Sequence, residues 1–112
     1  VVVLSTAADA AGKARSTTQP QPEQQMTLDQ RHTALCAAIG RKASVVVRYR
    51  DKDGLLSTIL RISQDRLDPT SKLYRFDRLM LITLYEQWYF SPQQAQQHWE
   101  LRCHQAITEG AL

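Results

Sequence analysis

Cysteine is scarce in this chain of 112 residues: only Cys36 and Cys103 occur, with no CxxC pair and no cysteine/histidine cluster. Two are too few for a disulfide scaffold or a structural zinc site, so both are expected to be reduced and packed. Long apolar runs are lacking as well. Nothing approaches the roughly 20 residues that cross a bilayer. Val1-Val2-Val3-Leu4 is too short for a signal peptide and no basic residue precedes it. A cytoplasmic chain without membrane contact is therefore expected. Catalytic patterns are missing too: there is no glycine-rich phosphate loop, no HExxH, no GxSxG and no compact acid pair in an apolar setting. A non-enzyme without a cofactor is the expectation. Asp51 and Asp53 read as turn residues rather than calcium ligands, and His98, Cys103 and His104 do not converge on one ion as helix or as strand. No metal is assigned.

What is present suits one small domain behind a tail. Ser5 to Gln25 is rich in Ala, Ser, Thr, Gln and Pro and ends in QPQPEQQ, a composition that resists both helix and strand. Residues 1–26 are read as a tail or linker, a tether to any upstream domain, and 27–112 as the folded unit. Thr27 and Gln30 form a T-x-x-Q capping box, and Leu28, Leu35 and Ile39 follow on one helical stripe, with Gly40 as the expected stop.

From Ala43 to Arg50 the chain alternates. Val45, Val47 and Tyr49 fall on one side and Val46, Arg48 and Arg50 on the other, a Val-rich pattern that predicts a strand. Asp51-Lys52-Asp53-Gly54 is a turn, and Leu56, Thr58, Leu60 and Ile62 continue the alternation as the second arm of a hairpin. Asp68-Pro69-Thr70-Ser71 breaks the chain again, Leu73 to Tyr85 reads as one long strand or two, and Glu86-Gln87 turns into Trp88-Tyr89-Phe90. The result is an α+β fold, a helix packed on a small, strongly bent antiparallel sheet or half-open barrel. The last segment stays open. Ser91-Pro92 starts a helix on which Ala95, Trp99, Cys103 and Ile107 share a stripe, while Trp99, Leu101 and Cys103 also alternate as a strand would.

The formal net charge is +3, and basic residues concentrate between Arg41 and Arg78. Arginine and aromatic residues interleave there and beyond, in Arg48-Tyr49-Arg50, in Tyr74-Arg75-Phe76-Asp77-Arg78 and in Trp88-Tyr89-Phe90. Guanidinium forks hold phosphate oxygens in two-point contacts and flat rings stack on unpaired bases. Single-stranded nucleic acid or a nucleotide is thus the expected ligand class, with Arg48, Tyr49, Arg50, Arg75, Arg78, Trp88, Tyr89 and Arg102 as candidate ligand-binding residues.

The same residues carry a family resemblance. LCAAIGRKASVVVRYRDKDG is similar to the opening of a WYL domain, EQWYFS resembles its namesake tripeptide with Phe for Leu, and WELRCHQAI is similar to its last strand. Gln105 stands where that strand has a second arginine. The resemblance implies an SH3/Sm-like small barrel of a bacterial transcription regulator, sensing its ligand in a basic groove that includes Arg48, Tyr49, Arg50, Tyr89 and Arg102. The alternative is a non-catalytic assembly subunit docking on a larger complex, favoured by the helix start at Ser91-Pro92 and the glutamines that follow.

Overall fold

The computed structural model describes residues 26–112, and the expected tail lies outside the described residues except for Met26. Four helices follow in order: α1 (Leu28–Asp51), α2 (Leu56–Gln64), α3 (Lys72–Glu86) and α4 (Pro92–Thr108). No strand occurs among the described residues, so the α+β sheet or SH3/Sm-like barrel is corrected to an all-helical fold. The open question over residues 93–107 resolves as helix.

The capping box read at Thr27 acts as expected, and Ser91 and Ser71 also start helices. The Thr27 hydroxyl accepts from the Gln30 amide while the Gln30 side chain accepts from the Thr27 amide, so two orphan donors of the first turn of α1 are satisfied. Ser91 and Gln94 repeat the device at α4, with Pro92 at the first helical position. Ser71 caps α3 by accepting from the Tyr74 amide. At the far end of α4, Gly110 takes a positive φ of 79° and the Ala111 amide reaches back to the Ala106 carbonyl, the Schellman arrangement that ends a helix.

The segment expected as the first strand is the second half of α1. Burial there falls on Ala43, Val46 and Val47 with Arg50 below them, a spacing of three and four, and Val45 is 58% exposed. A strand would have placed Val45 and Val47 on one face; the helical period separates them. Gly40 ends nothing. A Cβ there would lie 2.8 Å from the Gln96 carbonyl oxygen and 3.2 Å from Glu100 Cβ, so its missing side chain lets α1 and α4 approach closely. In α2, Leu56, Ile59 and Leu60 turn inward and Ile62 faces out; in α3 the buried set is Phe76, Asp77, Met80, Leu81 and Leu84. Both are helical stripes where an alternating face was expected.

Side-chain pairings set the topology. Lys42 meets Asp77 and Arg50 meets Leu84, so α1 and α3 run parallel. Ser63 lies beside Lys42 and Asp77 while Gly54 lies beside Tyr49 and Tyr85, so α2 runs against both. Cys36 is joined to Cys103 and Gly40 abuts Gln96, which places α4 antiparallel to α1. The helices therefore run up, down, up and down.

The Cys36–Cys103 disulfide corrects the expectation of two reduced thiols. Their Cα atoms lie 5.3 Å apart across the α1–α4 interface, and the two residues are separated by 67 positions in the chain. Both are fully buried beside Trp99, Ala43 and Ala106, so packing was expected and pairing was not. No described helix is long and apolar enough to cross a membrane.

Candidate functional site

Arg48, Tyr49 and Arg50 occupy the last turn of α1, and the helical period sends them in different directions. Arg48 is exposed, Tyr49 lays its ring against Gly54, and Arg50 turns inward with a side chain only 9% exposed. The Arg50 guanidinium donates to the Leu84 carbonyl at 2.7 Å, the Gln87 carbonyl at 2.9 Å and the Phe90 carbonyl at 2.9 Å. A salt bridge to Asp51 at 2.9 Å completes its surroundings. Arg50 thus satisfies the free carbonyls at the C-terminal end of α3 and clasps the loop into α4. Its donors face the protein's own backbone.

That loop carries Trp88 and Tyr89, which are 75% and 60% exposed. They head a chain of edge-to-face rings that runs inward through Phe90, His98 and Trp99 to Phe76, with centroid separations between 5.3 and 5.8 Å. Such pairs add directional attraction to simple burial. The exposed end is therefore mounted on a packed stack and held from below by Arg50.

The remaining candidates do not join this corner. Arg75 sits in the first turn of α3, about 16 Å along the axis from its end, and donates to the Thr70 carbonyl at 3.2 Å. Arg78 is exposed on the same helix. Arg102 lies over the Trp99 ring at 5.1 Å from its centroid, a cation–π contact that covers the buried indole. The structure brings together Arg50, Trp88 and Tyr89 and disperses Arg48, Arg75, Arg78 and Arg102.

His98 is the titratable member of the ring stack. Its Nε2 is buried without a hydrogen-bond partner. Burial first, and the Arg102 charge second, hold its pKa below the usual 6.5. The unfolded chain takes up this proton before the folded chain does. Stability should therefore fall as pH drops through about 6.5 and level off once the folded imidazole is protonated. Thermal melts at about pH 7.5 and about pH 5 should show a steeper acid loss in the native chain than in a His98→Phe variant; equal losses would remove His98 from the account.

A second polar centre carries no signal in the motifs. Lys42 of α1 donates to the Ser63 hydroxyl of α2 and to Asp77 Oδ1 of α3 at 2.6 Å, and the Ser63 hydroxyl donates to Asp77 Oδ2 at 2.5 Å. Ser63 and Asp77 are buried; the Lys42 side chain is 37% exposed. One residue from each of three helices meets there, so the group ties them together. Within it the Ser63 hydroxyl and both Asp77 oxygens are engaged. Asp77 inside the apolar stripe Phe76–Met80–Leu81 is the one clue the sequence offers, since a buried carboxylate needs a partner. No protein-family model matches the chain, and neither a curated protein nor a solved structure matches it.

Proposed function

We propose that this chain is a non-catalytic docking module that engages a partner protein through the Trp88–Tyr89 corner, in an oxidising compartment. The observation that carries it is the exposure of two large adjacent aromatics on a loop fastened by Arg50. Leaving such rings in water forfeits roughly 1.5–3 kcal/mol each. Trp and Tyr are the residues that dominate interface energetics, and a loop already held in shape loses little entropy on binding. The matching surface is an apolar pocket with an acceptor for the indole N–H and a polar rim for the phenol. The oxidising setting replaces the cytoplasmic one expected from the sequence, since a buried disulfide persists where thiols are not kept reduced.

Photo-crosslinking from position 89 in the native cell, with position 78 as control, is the test. A discrete protein adduct should form at 89 only. Against that purified partner, Trp88→Ala should weaken binding at least about 30-fold, as for an interface hot spot, with the helical circular-dichroism spectrum unchanged. Undiminished binding would overturn the reading. A single-stranded oligonucleotide bound with steep salt dependence, and lost on replacing Arg48 and Arg78, would put nucleic-acid sensing in its place.

A further inference from the structure

Lys42 and Leu67 are shared by two adjoining clefts between α1, α2 and the segment leading to α3. The smaller, about 150 Å³, is walled by Leu35, Ala38, Ile39 and Leu73, with Asp77 beside Lys42. The larger, about 280 Å³, is walled by Ile59, Ile62 and Ser63 and has Arg66 at its edge. Both linings are mostly apolar, and Lys42 is common to them.

Counting donors and acceptors gives the sign of what fits. Both oxygens of Asp77 accept hydrogen bonds from within the protein. An ammonium group has three donors, and Lys42 uses two, on Ser63 and Asp77. The guanidinium of Arg66 has no acceptor among the described residues, whereas its backbone N–H bonds the Ser63 carbonyl. The larger cleft is thus lined by Lys42, which is paired with Asp77 and keeps one unused N–H, and by Arg66, whose guanidinium has no partner among the described residues; no carboxylate lines it. Ile59, Ile62 and Leu67 complete the lining, and Ile62 is exposed.

We propose that the larger cleft binds a medium-chain carboxylate, its alkyl chain on Ile59, Ile62 and Leu67 and its carboxylate on Lys42 and Arg66. The volume lies just below the roughly 300–1,000 Å³ typical of ligand pockets, which suits a single short chain rather than a ringed cofactor. An apolar body with one charged end matches a lining of Ile59, Ile62 and Leu67 that also carries Lys42 and Arg66. This site is separate from the aromatic corner and stands or falls without it.

The test is a ¹⁵N NMR titration of the oxidised chain with sodium decanoate, kept below its micelle concentration, alongside decanol and sodium acetate. Decanoate should bind saturably and shift the amides of Ile59, Ile62, Arg66 and Leu67. Decanol, without charge, and acetate, without chain, should each bind at least about tenfold more weakly, as should decanoate to an Arg66→Gln variant, each tenfold corresponding to about 1.4 kcal/mol. An Ile59→Phe variant, which fills the cleft and leaves the Lys42 group intact, should also lose binding. Equal binding of decanol, equal binding of acetate, shifts centred elsewhere, or no effect of either variant would each overturn the proposal.

Discussion

Replacing Cys36 and Cys103 together by alanine should lower the stability of this fold by about 4 kcal/mol. The disulfide closes a loop of 67 positions, and the chain-entropy relation gives about that figure for a loop of this length, with measured losses of native disulfides near 2–5 kcal/mol. Small domains have only about 5–15 kcal/mol in all. The variant should therefore unfold at a much lower urea concentration, and with a steeper dependence on urea, because its unfolded state is no longer restrained and exposes more surface. Both sulfurs are fully buried, so reductant should act on the native chain only as fast as the α1–α4 interface opens. A midpoint unchanged in the double variant would show that the staple contributes nothing to stability.

Arg50→Met should cost about 2–4 kcal/mol. The methionine keeps the apolar stem and removes the donors to the Leu84, Gln87 and Phe90 carbonyls; hydrogen bonds to a charged group contribute about 1.5–3 kcal/mol each, and their losses overlap at one clasp. The exposed pair with Asp51 adds little. Arg50→Lys should recover only a small part, since a point charge cannot reach three carbonyls in a fork. Hydrogen exchange at Gln87 and Phe90 should rise in both variants, because their amides belong to the clasped loop; if Trp88 docks on a partner as proposed, that binding should weaken as well. Full stability in Arg50→Lys would reduce the clasp to a simple charge effect.

Most limits of the elements, though not the stop expected at Gly40, were legible because they rest on local chemistry. Thr27 with Gln30 and Ser91 with Gln94 each satisfy backbone groups within one turn, the break at Asp51–Gly54 begins on the last residue of α1, and that at Asp68–Ser71 falls between α2 and α3. The element type between them was not. Val45-Val46-Val47 is a β-branched run whose preference for strand was overridden by burial of Ala43, Val46 and Val47 in the common core, and over so short a window periods of two and 3.6 share many positions. That one error carried into the site: Arg48 and Arg50, neighbours on a strand face, are about 200° apart on a helix. The disulfide and the Lys42–Ser63–Asp77 group were hidden for another reason. Lys42 and Asp77 are 35 positions apart, and only the packing of α1 on α3 makes them partners.

The staple between the first helix and the last also decides how this domain would answer a pull. Cys36 lies in α1 and Cys103 in α4, so tension applied at Met26 and Leu112 passes through the sulfur bridge and bypasses α2, α3 and the aromatic corner. Only the short runs outside the two cysteines could lengthen. A force that unravels the reduced chain would leave the oxidised one presenting Trp88 and Tyr89 unchanged.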